Sequence, residues 1–330
     1  AIGAVNDKGQ RSGYSEPGAA KVVSAPSNGD FDDQGITTTD INSNYRYDFG
    51  GTSSATPLAA GVIALMLEAN PDLGWRDVQE ILIRCARQLR PDDAGWHLNA
   101  AKIPFSHDFG AGLIDAALAI ELAEDWTNLG AQQSITLTDS APLAIPDQDS
   151  AGVEKTFTIE ANDSFRVEHV SLTVDIAHQD RSNLTISLIS PGGTESVLAL
   201  PQETFANKAN YDNWTFMTVH NWGEQAAGSW TLKVIDSVHG NAGILNTATL
   251  QVYGASNPAP QAPSIHWAQG VRGLVGRSFY LKALAPQGVV TYQASNLPAG
   301  LSLNTQTGAI SGTPTASGAF PVTLAATNSH

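Results

Sequence analysis

The stretch that most restricts the fold is residues 57–69, "PLAAGVIALMLEA", a helical pattern that is apolar on nearly every face. Such a helix belongs inside a domain, because a surface helix keeps a polar side toward water. Enclosing it takes sheet and further helices on all sides. The neighbouring sequence supplies only part of that shell. Two short apolar runs, "AIGAV" and "KVVSAP", read as strands, and helical patterns occupy residues 56–69, 75–89 and 114–125. Two strands and three helices are too few, so residues 1–126 are expected to be part of a larger α/β unit.

Around Gln132 the pattern changes to period two. In "HVSLTVDI" the residues Val170, Leu172, Val174 and Ile176 alternate with polar ones, and "NLTISLIS", "SWTLKVID" and "TATLQVYG" repeat the alternation. Strands of this kind, with turn signals such as "SPGGT" between them, predict an antiparallel β-sandwich over residues 134–254. The Pro-rich stretch "ASNPAPQAP" (255–263) reads as a linker. A second, smaller β unit is expected over residues 264–330.

The chain has 330 residues, 42% hydrophobic and 15% charged, which makes it globular. Its formal charge of −15, with no basic cluster, excludes charge-driven binding of nucleic acid. Cys85 is the only cysteine, so no internal disulfide can form, and its place in the pattern Trp75, Val78, Ile81, Leu82, Cys85, Leu89 makes it a small buried hydrophobe. No apolar run is read as a transmembrane segment. The chain opens on what reads as a strand interior, with no initiator Met and no signal peptide, and so is not expected to start at a natural N-terminus.

The stretch "GGTSSATP" (50–57) carries the chemistry. Glycines let a backbone approach a ligand, and a helix N-terminus offers unpaired N–H groups to a developing oxyanion. Pro57 suits the first helical turn. Without context the same residues serve equally as an ordinary helix start, with Ser53, Ser54 or Thr56 as N-cap. The longer stretch "GGTSSATPLAAGVIALMLEANPDLGWRDVQEILI" resembles the serine-containing segment of subtilisin-like proteases, in particular the kexin and furin branch. The motif G-T-S-x-A-x-P falls on Gly51, Thr52, Ser53, Ala55 and Pro57. "SHDFGAGLIDA" (106–116) is similar to the closing segment of that catalytic domain, and "GYSEPGAAKVVSAPS" to its strand region before the serine. "HVSLTVDIAHQDRSNLTISLISPGGTES" and "NWTFMTVHNWGEQAAGSWTLKVID" resemble the P-domain that follows it, with Asn183 where that family commonly has Asp. "LPAGLSLNTQTGAISGTP" looks like an Ig-like module of adhesive or structural type.

The resemblance implies a multidomain protein: an incomplete α/β subtilisin-like catalytic domain (1–126), an all-β P-domain sandwich (134–254) and a small Ig-like β module (264–330). It implies Ser53 as nucleophile, its backbone N–H as oxyanion donor, and a protein or peptide substrate. In subtilases the triad runs Asp, His, Ser along the chain. Residues 1–52 hold no histidine, and all eight histidines follow Ser53. The base, the acid and the oxyanion Asn are thus expected in polypeptide preceding residue 1, and the chain alone is expected to be inactive. The histidines present, among them His107, His178 and His220, read as structural or surface residues.

Glu16 matches a position that gives a carboxylate to a Ca²⁺ site in the family, but Ca²⁺ takes six to eight oxygens, so one carboxylate makes no site. The acidic runs Asp30, Asp32, Asp33 and Asp147, Asp149 lack EF-hand spacing and read as solvated loops. The parent is expected to be a secreted or cell-surface bacterial serine endopeptidase. The rival reading is a non-enzymatic β-sandwich adhesion or interaction protein carrying a protease relic.

Overall fold

The computed structural model describes residues 1–29, 33–161, 165–202, 209–256, 265–267, 271–285 and 290–328. The first unit begins with two parallel strands, β1 (Ile2–Val5) and β2 (Val23–Pro26), with Ile2 opposite Val23. A hairpin of β3 (Ile36–Asp40) and β4 (Asn44–Phe49) follows, largely exposed, and leads into α1 (Thr52–Ala69). Next come α2 (Trp75–Cys85), the short pair β5 (His97–Leu98) and β6 (Pro104–Phe105), and α3 (Ala116–Glu124).

Alanines seat α1 on the sheet. Ala55 and Ala59 meet Ala4 and Ala25, and the small side chains let helix and strands approach closely. Met66 points into a larger core shared with α2 and α3. The opposite face is bare: Leu58, Leu65 and Leu67 are 39%, 47% and 39% exposed. The expectation of a fully enclosed helix is therefore not met by the described residues, because only two strands lie beneath it. By length and composition α1 is also apolar enough to cross a membrane, while one of its faces packs on β1, β2 and α3.

Helix boundaries differ from the periodicity for a nonlocal reason. α2 stops at Cys85, not residue 89, because Ala86 is extended and Arg87 exchanges backbone hydrogen bonds with Leu113 (2.7 and 2.8 Å). That pairing also delays α3 until Asp115 caps it, accepting from Leu118 N–H at 3.1 Å. Cys85 is buried as expected, and burial pushes its thiol pKa far up.

The sandwich begins with β7 (Gln132–Asp139), β8 (Leu143–Ile145), β9 (Val153–Ile159), β10 (Arg166–Ala177), β11 (Leu184–Ile189) and β12 (Glu195–Ala199). It is completed by β13 (Tyr211–Thr218), β14 (Gly228–Asp236) and β15 (Gly243–Ala255). One sheet has the order β13-β10-β15-β7, with β8 also on β15; the other has the order β12-β11-β14-β9. The period-two residues Val170, Leu172, Val174 and Ile176 all seal against the facing sheet, with Trp230 and Leu232 opposite. Asn183 is buried at a turn, its carbonyl accepting from Ser237 Oγ at 3.3 Å.

The last unit holds β16 (Phe279–Lys282), β17 (Thr291–Ser295), β18 (Leu301–Leu303), β19 (Ala309–Gly312) and β20 (Thr323–Thr327), in sheets β16-β19-β18 and β17-β20. It docks on the end of α2. Lys282 is buried and its Nζ donates to the carbonyls of Arg84 and Ala86 (3.0 Å to Ala86), where the helix dipole favours a cation. Burial lowers the pKa of Lys282 to about 8. From residue 257 on, the expected linker lies outside the described residues, as do Asp30, Asp32 and His330.

One core cluster crosses all three units: Phe105, Ile81 and Leu118 pack with Val219 and Trp222 of the sandwich and Leu284 of the last unit. A buried ionic joint accompanies it. Glu80 of α2 pairs with Arg84 and with Arg166 of β10 (2.7 Å), and accepts from Trp222 Nε1. Burial alone would raise the Glu80 carboxyl; Arg84, Arg166 and the indole outweigh it and bring it down to about 2. Arg76 reaches Glu168 in the same way, Nε to Oε2 at 2.7 Å.

Candidate active site

The turn at Gly51 launches α1. Gly51 sits at φ 77°, ψ 173°, a backbone state that side chains disfavour, and it is the N-cap, with no side-chain cap bond. None of Ser53, Ser54 and Thr56 is the cap. The helix starts at Thr52, so Pro57 falls in its second turn rather than its first. There Pro57 removes the N–H that would reach the Ser53 carbonyl. Thr56 Oγ1 donates back to Thr52 O at 2.9 Å.

The two adjacent serines have opposite environments. Ser54 is buried; its Oγ lies 2.7 Å from Ser27 Oγ and donates to Gly51 O at 3.1 Å. Ser53 is exposed, at the uncapped N-terminus of an 18-residue helix, and among the described residues its hydroxyl has no hydrogen-bond partner. Of the two, only Ser53 presents its side chain to the exterior.

A brace missed by the sequence reading fixes this turn. Asn28 Oδ1 accepts from Gly51 N–H (3.0 Å) and from Tyr14 Oη (2.6 Å), while Ser27 Oγ donates to Gly51 O (2.8 Å). Its bonds to Gly51 cross 23 and 24 residues, so no local pattern announces it; the one signal was the polar "SN" ending an otherwise apolar strand run.

The histidines lie elsewhere. His178 Nε2 is 3.1 Å from Asp236 Oδ2 inside the sandwich, His169 stacks on Tyr253, and His239 faces Asp147. His97, His107 and His220 cluster where the first unit meets the sandwich. None is hydrogen-bonded to Ser53. Glu16 is exposed, and its charge acts on Lys21, whose pKa burial lowers to about 8. Among the described residues no three His, Cys, Asp or Glu side chains, Glu16 included, are arranged to hold a metal. Asp147 and Asp149 do turn-capping work, accepting from Gly240 N–H and Ala151 N–H at 2.9 Å each. Asp33 differs from the solvated loop expected of it: its side chain is largely buried, bonded to Asn6 and Lys8.

Residues 1–112 match the Subtilase family model, residues 167–252 the Proprotein convertase P-domain model, and residues 275–330 an Ig-domain model. The chain belongs to the kexin-like subtilases. Over 244 residues it is 38% identical to the PC3-like endoprotease variant B of Hydra vulgaris, covering 72% of this chain and 34% of that protein. It is 36% identical to Protease KEX1 of Kluyveromyces lactis (86% of this chain, 38% of the relative) and 34% identical to Furin of Rattus norvegicus (76% and 32%). The chain thus spans about a third of the length of these relatives. The solved serine protease of Aeromonas sobria is similar in structure, with a TM-score of 0.70 at 26% identity, over 77% of this chain and 57% of that one. An animal, a yeast, a rodent and a bacterium are represented, which does not single out a bacterial source. In this subtilase the segment and P-domain do not hang loosely together; the Glu80 joint and the Trp222 core weld them.

Proposed function

We propose that this chain is the serine-bearing part of a calcium-dependent, exported serine endopeptidase and is inactive by itself. Ser53 is its nucleophile: it would attack the scissile carbonyl of a protein or peptide substrate, with its own backbone N–H donating to the tetrahedral oxyanion. The histidine that takes the proton, the aspartate that orients it and the remaining calcium ligands to accompany Glu16 would come from polypeptide preceding residue 1. Without an imidazole, the Ser53 hydroxyl is an ordinary alcohol. The observation that carries this reading is the braced Gly51 turn, which exposes Ser53 at a helix N-terminus while burying its neighbour. The bare apolar face of α1 supports it further, since a complementing portion of the catalytic domain would cover it.

Labelling by a fluorophosphonate tests the proposal. The chain alone should stay at background, and the chain joined to the upstream portion should label. In that protein Ser53→Ala should abolish labelling and lower kcat by about 10⁴-fold or more, whereas Ser54→Ala should still label. Labelling that survived Ser53→Ala but not Ser54→Ala would move the nucleophile by one residue. No labelling in the complemented protein would favour the non-enzymatic relic.

A further inference from the structure

Three imidazoles meet where the subtilase segment joins the P-domain. His97 comes from β5, His107 from the turn after β6, and His220 from the connection between β13 and β14. The His107 and His220 ring centroids are 4.2 Å apart, His97 and His220 5.2 Å, and His97 and His107 6.3 Å. Phe105 stacks on His220 at 5.2 Å. His220 is fully buried, and neither of its ring nitrogens has a hydrogen-bond partner; Nε2 of His97 has none either. His107 does have one: its Nε2 accepts from Val197 N–H of β12 at 3.1 Å. An imidazolium has no acceptor nitrogen, so protonating His107 breaks that bond.

We propose that His97, His107 and His220 form an acid-sensitive latch between the subtilase segment and the P-domain, closed while the rings are neutral and released when they take up protons. The latch spans the joint itself. Asn99 Nδ2, between β5 and β6, donates to the carbonyls of His220 (3.0 Å) and Trp222 (2.8 Å), and Val219 N–H donates to Ala19 O (3.0 Å).

The charges facing the cluster do not rescue a proton placed there. Glu224 favours a charged His97, but its Oε1 already accepts from Ala100 N–H (2.8 Å) and Thr194 Oγ1. Asp108 and Glu195 favour a charged His107, and Asp108 is bound by Arg11 at 2.9 Å. Lys21, donating to Asp108 O at 2.7 Å, and Lys102, beside His97 on the same cavity, add positive charge. No carboxylate offsets the burial of His220, which holds its pKa well below the usual value, followed in size by the effects of His107 and His97. Burial likewise lowers His97 and His107. The sign follows. The unfolded or parted state binds protons first, so the stability of the joint is complete above about pH 6.5 and is lost as the pH falls below it. Among the described residues no three His, Cys, Asp or Glu side chains are arranged to hold a metal.

The test uses the chain as it stands and needs no catalytic activity. Hydrogen exchange, corrected for intrinsic rates, is followed from pH 7.5 to 5.0 in peptides covering 97–107 and 217–224. The opening equilibrium of both should rise together, by up to about tenfold per pH unit for each proton taken up. His220→Phe keeps a ring against Phe105 and removes the titration, so it should flatten that rise. His97→Phe provides a second variant should the first misfold, and should flatten it in part. Identical pH dependence in wild type and in whichever variants fold would overturn the proposal. So would stoichiometric zinc in the purified chain whose removal loosens the joint at pH 7.5, because the imidazoles would then be ligands.

Discussion

In β10, Val170, Leu172, Val174 and Ile176 are all sealed in the sandwich core, whereas Leu58, Leu65 and Leu67 of α1 still face outward. Both segments are strongly apolar in sequence. The difference lies in what each needs around it. An alternating strand has one apolar face and is satisfied by one opposing sheet, which the same 120 or so residues provide. A helix apolar on all sides needs several layers, and here it has a two-stranded sheet and two helices. The P-domain therefore closes a core of its own between its two sheets, and the subtilase segment takes part of its core from it through Val219 and Trp222.

Breaking the joint should have the largest effect. Glu80→Ala leaves Arg84 and Arg166 buried without their shared carboxylate, and should destabilise by about 3–5 kcal/mol in chemical unfolding. The same joint dictates behaviour in acid. Glu80 has its folded-state pKa depressed to about 2 from 4.5, so its contribution is present above pH 4.5 and is lost as pH falls toward 2. A variant that unfolds at the wild-type denaturant midpoint would mean that the two units are not energetically joined there.

Asp77 sharpens the comparison within the first unit. Its carboxylate accepts from Gly74 N–H at the start of α2 (2.9 Å), and from Trp126 Nε1 (2.9 Å) and Leu129 N–H (2.7 Å) at the approach to the sandwich. Asp77→Ala should cost about 1–2 kcal/mol, a cap together with orphaned donors. A loss below about 0.5 kcal/mol, the size of an ordinary surface substitution, would show that water replaces it.

The smallest effect is expected on the open face. Leu65→Ala should change stability by no more than about 0.5 kcal/mol in this chain, against about 2–5 for a leucine truncated in a packed core. A core-sized loss would show that the face is covered in solution, for example by a second copy. In the complemented protease the same substitution should become costly.

Much of this was legible in the sequence. The period-two residues of β10 named their own face, and the apolar residues 57–69 announced a helix in want of a shell. The Gly51–Pro57 motif marked Ser53. Each of these is local: periodicity and motif register depend on neighbours along the chain. Where α2 ends was not legible, because Arg87 leaves the helix to pair with Leu113, and a contact across 26 residues outweighs the strong helical preference of Ala86, Arg87, Gln88 and Leu89. The brace of Tyr14, Ser27 and Asn28 on Gly51 was hidden for the same reason.

Residue order alone determined the three helices of the first unit and the alternating strands β10, β11, β14 and β15, that no disulfide can form within the chain, and which serine stands in the motif, while the pairs β3–β4 and β5–β6 carried no such signal. Only the tertiary structure decided that Ser54 is buried and Ser53 free, that Lys282 caps α2 from the last unit, and that three histidines from separate segments meet at one joint. Burial and electrostatics depend on which surfaces come together in space, and a side chain's charge state follows from that enclosure, not from its position along the chain.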